Sequence, residues 1–138
     1  MNKISIRSLF TTALAAIAVI AITGVAQAHH SFSMFNNTKE ATITGTVKEF
    51  QWTNPHTFTF VDVTGADGKV ETWGLEGMSP NYLGRRGWTK RTLSPGDKIT
   101  VTIYPLKDGL KGGMFLRAKL ADGTEKVMFG TPPRAGAQ

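Results

Sequence analysis

Hydrophobic and polar residues alternate with a period of two along most of the chain after residue 40, a pattern typical of β-strands that bury one face. The runs cover Ala41 to Phe50, Thr57 to Val63, Lys69 to Leu75, Lys98 to Ile103, Met114 to Leu120 and Thr124 to Phe129. Turn signals separate them at Gly65 to Gly68, Asp108-Gly109, Gly112-Gly113 and Asp122-Gly123. The pattern therefore predicts an all-β domain built from short strands.

The first run changes phase along its length. Ile43, Gly45 and Val47 share one parity, whereas Phe50 lies on the other. A one-residue slip of this kind exchanges the two faces of a strand, so we expect a bulge or bend in this strand.

One segment interrupts the β pattern between the third and fourth runs. Ser79-Pro80 is an N-cap followed by proline at the first helical position, and Gly87 is a stop signal. We expect a helix of two turns at most. Three strands, a short helix and two or three further strands are the element order of the OB-fold, a small Greek-key barrel. A small β-sandwich is the alternative.

The first 28 residues have the features of a signal peptide. Lys3 and Arg7 precede an apolar run from Ala13 to Ile22, which is too short to span a bilayer comfortably. Ala26-Gln27-Ala28 follows as a cleavage site, so the mature chain is predicted to begin at His29 in the periplasm or outside the cell. A retained N-terminal anchor is the alternative.

Cleavage defines the expected domain and its charge. We predict one domain over residues 29–130 and a disordered tail over residues 131–138, which is rich in Pro, Gly and Ala. Removing 28 of 138 residues leaves 110, and the loss of Lys3 and Arg7 lowers the formal charge from +6 to +4. An exported protein meets little nucleic acid, so this basicity favours an anionic lipid, a glycan or an acidic protein as partner; the alternative is that it only promotes solubility. No stable membrane span is expected after processing. The chain has no cysteine, which excludes a disulfide scaffold and thiolate metal sites.

Two histidines stand at the predicted mature terminus. The α-amine and imidazole of His29 can chelate one metal ion, and a third nitrogen would complete the T-shaped set called a histidine brace. Tetragonal nitrogen ligation suits Cu(II), which makes copper the expected cofactor if there is one. Neighbouring side chains of an extended segment point to opposite faces, so His30 is an outer-sphere group or an alternative ligand. Cleavage one residue earlier would instead place histidine in the third position of Ala28-His29-His30.

His56 is the only further histidine and therefore the candidate for the third nitrogen. It follows Asn54-Pro55, a turn signal, and is expected to open the second strand at the mouth of the barrel. The alternative is a terminus without a metal and a histidine that only stabilises its turn.

A second candidate site lies between the third strand and the predicted helix end. Glycines there allow close backbone approach, aromatic rings offer stacking faces, and paired arginines can bind a carboxylate or phosphate. Together with Trp52, the candidate residues for a ligand or partner are Trp73, Glu76, Tyr82, Arg85, Arg86 and Trp88. The alternative is that these residues close one end of the barrel. Lys90 and Arg91 extend the basic run.

Catalytic motifs do not support an enzyme. The sequence lacks a Gly-x-Ser-x-Gly elbow, a P-loop, a His-Glu-x-x-His motif and a dinucleotide fingerprint. The sequence therefore favours a binding protein, and a copper-dependent oxidase is left as a further hypothesis.

Three stretches together resemble a known family. These are His29-His30-Ser31-Phe32, the run from Thr44 to His56 that ends in Trp-Thr-Asn-Pro-His, and the stretch from Leu75 to Trp88. They resemble a family of small exported bacterial proteins of unknown function, and the likeness covers nearly the whole mature chain. The resemblance implies export and a single domain, and it draws attention to the two histidine motifs without implying any activity.

Overall fold

Six strands and one short helix form the fold in a computed structural model that describes residues 32–130. The elements are β1 (Ala41–Gln51), β2 (Phe58–Thr64), β3 (Val70–Glu76), α1 (Pro80–Gly84), β4 (Lys98–Pro105), β5 (Gly112–Leu120) and β6 (Glu125–Val127). The predicted signal peptide, His29, His30 and the predicted tail lie outside the described residues. The fold described below is that of the compact unit that begins at Phe35.

The first five strands close into a barrel. β1, β2 and β3 form an antiparallel meander, and β4 pairs antiparallel with both β1 and β5. Parallel pairing of β3 with β5, from Gly74 opposite Gly112 to Glu76 opposite Met114, closes the barrel, while β6 adds to β5. This is the topology of a small OB-like barrel, so the predicted all-β fold with one short helix is confirmed over the sandwich.

A bulge in β1 allows this strand to serve two neighbours. Residues 41–46 pair with β4 and residues 46–51 with β2, and the register shifts between Val47 and Glu49. At the junction, Val47 donates its N–H to the carbonyl of Asp97, 2.8 Å away, and its own carbonyl accepts from Gly96. The phase change in the sequence therefore marks the point where the strand bends from one side of the barrel to the other.

The predicted turn at Gly112-Gly113 is wrong, because both glycines lie inside β5. A Cβ on Gly112 would lie 2.9 Å from the carbonyl oxygen of Gly74, and one on Gly113 would lie 2.5 Å from that of Tyr104. The residues are glycine because neighbouring backbones approach closely where the barrel closes. The β4–β5 turn lies earlier, at Gly109, whose φ is +79°.

The helix and the loop after it cover part of the core. Ser79 caps α1 by accepting the N–H of Tyr82, as the sequence predicts, and Gly87 follows with a φ of +80°. Leu83 of α1 is fully buried, and Trp88 is only 3% exposed. These two residues attach the segment between β3 and β4 to the barrel.

Candidate functional site

The loop between β1 and β2 holds His56 close to the end of β3. Thr53 donates its hydroxyl to the carbonyl of His56 at 3.1 Å, and the peptide bond between Asn54 and Pro55 is cis. The next residue, Thr57, accepts the N–H of Gly77 at its carbonyl and donates its own N–H to Met78. The regular strand begins at Phe58 rather than at His56. His56 is nevertheless held by backbone hydrogen bonds on its C-terminal side.

His56 forms an ion pair or hydrogen bond with Glu76, the last residue of β3. The Nδ1 atom of His56 lies 2.5 Å from Oε1 of Glu76, and the two side chains are 31% and 17% exposed. An ionised carboxylate only accepts hydrogen bonds, so Nδ1 must carry the proton. The contact therefore leaves Nε2 as the imidazole atom available to a metal or substrate.

Strand register explains why two residues twenty positions apart meet. Glu76 pairs with Phe58 across the β2–β3 ladder, which brings the end of β3 beside the start of β2. Leu75 is buried in the barrel, and alternation along the strand turns Glu76 outward. The sequence reading placed Glu76 with the aromatic and basic stretch, whereas the structure places it beside His56.

Within residues 32–130, no group of three His, Asp or Glu side chains is arranged to hold a metal ion. The His56–Glu76 pair can thus supply one imidazole ligand and its carboxylate partner. His29 and His30, the other histidines of the chain, lie outside the described range.

The structure distributes the predicted aromatic residues over different surroundings. Trp88 lies in the core, donates Nε1–H to the carbonyl of Val127 at 3.0 Å and packs against Phe50 and Phe115. Trp52 is half-buried, with its ring centroid 5.8 Å from that of Phe50. Burial makes the ring of Trp88 inaccessible to a partner in this conformation.

Trp73 lies on β3, half-buried against the core. The ammonium of Lys111 lies 5.5 Å from the centre of its ring and also pairs with Glu71 at 3.0 Å. The Nε1 atom of Trp73 is buried and has no hydrogen-bond partner within the described part of the chain. Trp73 therefore combines core packing with one exposed cation–π contact.

Tyr82 and Arg86 are brought together on α1 and the turn that follows it. The guanidinium of Arg86 lies 4.4 Å from the centre of the Tyr82 ring and donates to the carbonyl of Gly130 at 3.2 Å. Arg85 is the C-cap residue of α1 and is exposed. Arg85 and Arg86 are exposed, whereas Tyr82 is half-buried against the core and Leu83 is fully buried in it.

The segment of residues 77–96, which we call the basic segment, has no acidic residue. Its four basic side chains are exposed, and none of them forms an ion pair with a residue in the range 32–130. They are Arg85, Arg86, Lys90 and Arg91. Elsewhere basic side chains do have carboxylate partners, such as Lys111 with Glu71 and Arg117 with Glu40. The basic segment is thus a local excess of positive charge.

Two aromatic residues on β2 were not identified from the sequence. Phe58 and Phe60 lie on the outer side of the barrel, while Thr57 and Thr59 point inward. Hydrophobicity alone would place the phenylalanines inside the barrel and the threonines outside. The position of Asp62 could have indicated the true arrangement, because Asp62, Phe60 and Phe58 alternate onto the same face and a charged residue belongs on the outer one.

Comparison with known proteins identifies a family, but the function of that family is unknown. The profile of a family of unknown function, DUF6152, matches residues 16–127 of the chain. The chain belongs to this family. Its membership in DUF6152 confirms the resemblance to a family of unknown function. No curated protein and no solved structure matches the chain. In the described range, no helix has the length and hydrophobicity needed to cross a membrane.

Proposed function

We propose that this protein is exported and binds copper through the α-amine and imidazole of His29 together with Nε2 of His56. The observation that carries the proposal is the contact between Nδ1 of His56 and Glu76. In metal sites, a ligating histidine typically donates its second N–H to a carboxylate or carbonyl, which fixes the tautomer and the ring orientation. His56 has this arrangement before any metal is considered.

The environment of Glu76 strengthens this interpretation. Its side chain is 17% exposed, about half the fraction of its histidine partner. A partly buried carboxylate interacts more strongly with the imidazole than a fully solvated one. Glu76 therefore fixes the orientation of His56, while the more exposed imidazole can still receive a ligand from solvent.

Chain length is compatible with the second half of the site. Phe35 forms a β-bridge with Leu106 and packs with Met114, the register partner of Glu76 on β5. His29 precedes Phe35 by six residues; six extended residues would span at most about 20 Å, and the helical backbone of Phe32 and Ser33 shortens this reach. We propose His29 as the partner of His56, with His30 as an alternative ligand.

Copper is the metal that the donor set favours. A site with nitrogen ligands from an amine and two imidazoles matches the tetragonal preference of Cu(II), which also leads the affinity order of divalent first-row metals. The chain contains no cysteine, so thiolate sites for zinc or Cu(I) are excluded. The proposed activity is copper binding, without a catalytic step.

The test is a Cu(II) titration of the purified exported protein after its N-terminal residue has been read by mass spectrometry. We expect one tight site per chain, near-complete loss of that site in His56→Ala, and a loss of about 10- to 100-fold in affinity in Glu76→Ala. Glu71→Ala is the matched control, because Glu71 lies on the same strand and pairs with Lys111. Equal affinity in wild type and His56→Ala, or a terminus other than His29, would overturn the proposal.

A second candidate function is metal-free binding of an anionic partner by the basic segment, with Tyr82 as an aromatic contact. The specific observation that favours it is the excess of exposed positive charge between β3 and β4, which forms no ion pair with any of residues 32–130. The partner class is an anionic lipid surface, an acidic protein or an acidic glycan. Replacing both Arg85 and Arg86 with alanine should abolish capture of such a partner, whereas His56→Ala should leave it unchanged. The reverse pattern would reject this candidate.

A further inference from the structure

The outer face of β2 carries two half-buried aromatic side chains that lie outside the hydrophobic core. Thr57 and Thr59 are 0% and 1% exposed, so their side chains point into the barrel. Phe58 and Phe60 alternate with them and are half-buried on the other side. Among residues 32–130, neither phenylalanine belongs to the hydrophobic clusters that form the core.

This arrangement is unfavourable for stability. The hydroxyl oxygen of Thr59 is buried and has no hydrogen-bond partner among the described residues, which costs about 1–3 kcal/mol. Burying a phenylalanine instead would remove more apolar surface from water. Positions whose residue types disfavour the stability of the fold are expected to be functional or strained sites.

The ring of Phe60 lies beside a glycine of the neighbouring strand β3. Gly74 of β3 is the register partner of Phe60, and the Cε1 atom of that ring lies 3.6 Å from the position that a Cβ on Gly74 would occupy. The ring of Phe60 therefore extends over Gly74, and no side chain at that position rises above it. Phe58 and Phe60 are two residues apart on one strand, which spaces them by about 7 Å.

Hydrogen-bonding groups border the rings on β1. Glu49 pairs with Phe60 across the ladder and Gln51 pairs with Phe58. The amide of Gln51 donates to Glu49 at 2.9 Å, so the two side chains hold each other in place. The free lone pairs of this carboxylate and amide can accept hydrogen bonds from hydroxyl groups.

The charge of this face selects among ligand classes. Around the rings, the three carboxylates of Glu49, Asp62 and Glu76 outnumber the two ammonium groups of Lys48 and Lys98, of which Lys98 donates to Thr46, the register partner of Asp62. A net negative surface repels phosphate and sulfate groups. OB-folds use the face of strands 2 and 3 to bind oligonucleotides or oligosaccharides, and here the charge disfavours the polyanion.

We propose that the outer face of β2 binds a neutral oligosaccharide. The apolar C–H face of a sugar ring stacks on Phe58 and Phe60, because polarised C–H bonds are attracted to the negative face of an aromatic ring. Hydroxyl groups at the edge of the sugar donate to Glu49 and Gln51. This site uses neither His29 nor the imidazole of His56, so it does not depend on copper binding.

The test uses isothermal titration of the folded exported protein with cellulose- and chitin-derived hexasaccharides. We expect saturable binding of at least one of them, and a loss of at least about tenfold in affinity when Phe58 and Phe60 are both replaced by leucine. Leucine keeps apolar bulk and removes the ring, so the variant tests stacking rather than folding. Val70→Ala is the matched control, because Val70 is exposed on the same face of β3.

Further measurements separate this proposal from its alternatives. The double leucine variant should keep the melting temperature and the copper affinity of the wild type, and His56→Ala should keep the sugar affinity. A variant with tyrosine in place of both Phe58 and Phe60 should bind the hexasaccharide, because it keeps an aromatic ring at each position. No binding of either hexasaccharide at about 10 mM, equal binding by the double leucine variant, or preferential binding of a sulfated glycan or a polylysine peptide would each overturn the proposal.

Discussion

The β1–β2 loop and the basic segment both present side chains that can carry positive charge, but the fold treats them in opposite ways. His56 is held by Glu76 at 2.5 Å and is about one-third exposed. Arg85, Lys90 and Arg91 are exposed and have no carboxylate partner among residues 32–130. A fixed imidazole is suited to directional bonds such as metal ligation, whereas several solvated cations act through their summed field.

The two regions are also attached to the barrel by different contacts. The basic segment is attached to the core mainly by the apolar side chains of Leu83 and Trp88. Among its charged groups, Arg86 also contacts the Tyr82 ring and the carbonyl of Gly130. The β1–β2 loop is attached by backbone hydrogen bonds of Thr57 and by the polar contact of His56. In the loop, the same polar group therefore serves both structure and the proposed chemistry.

The largest effect should come from removing the apolar anchor of the basic segment. Trp88→Ala deletes a core ring and its hydrogen bond to Val127, so we expect a loss of about 3–5 kcal/mol in the free energy of unfolding. Urea denaturation measures it. Lys90→Ala in the same segment should change stability by no more than about 0.5 kcal/mol. A similar loss of unfolding free energy in Trp88→Ala and Lys90→Ala would show that the exposed charges contribute to stability as much as the core ring does.

A smaller and more specific effect is expected at His56. In Glu76→Ala the imidazole loses its acceptor, so the neutral ring should become a mixture of its two tautomers instead of carrying its proton on Nδ1. Long-range ¹⁵N–¹H NMR of the ring distinguishes these states. The Glu71→Ala protein should keep the wild-type spectrum, since Glu71 pairs with Lys111. An unchanged tautomer in Glu76→Ala would mean that another group orients the ring.

The smallest effect should come from an exposed ion pair, the ordinary counterpart of the His56 contact. Arg117 donates to Glu40 at 2.7 Å, and this hydrogen bond lowers the pKa of the Glu40 carboxyl below its ordinary value of 4.5. A lowered pKa in the folded state means that the stabilisation is present above pH 4.5 and is lost as the pH falls below that value. Glu40→Gln should therefore destabilise the protein by less than about 1 kcal/mol at neutral pH.

The measurement for this pair is urea denaturation of Glu40→Gln and wild type at pH 7 and at pH 3. The two proteins should differ at neutral pH, and the difference should shrink in acid, because the wild-type carboxyl takes up a proton as the pH falls through its lowered pKa. A difference that grows in acid would contradict the assigned sign.

Local pattern was enough to predict most elements of the barrel. Alternation located the strands, the phase change located the bulge of β1 between Val47 and Glu49, and Ser79-Pro80 located the start of α1. These features depend on the backbone preferences of a few neighbouring residues. Gly112-Gly113 was assigned to a turn because a glycine pair has the same local signature in a turn and at a close approach between strands.

The candidate sites depended on pairing between distant segments. The sequence by itself determined the all-β barrel with one helix, the basic composition of residues 77–96 without an acidic residue, and the histidines available as ligands. Tertiary structure decided that Glu76 meets His56, that Trp88 is buried and that Phe58 and Phe60 face outward. The physical reason is that strand register and barrel closure set these contacts, and both are fixed by backbone hydrogen bonds between strands far apart in the chain.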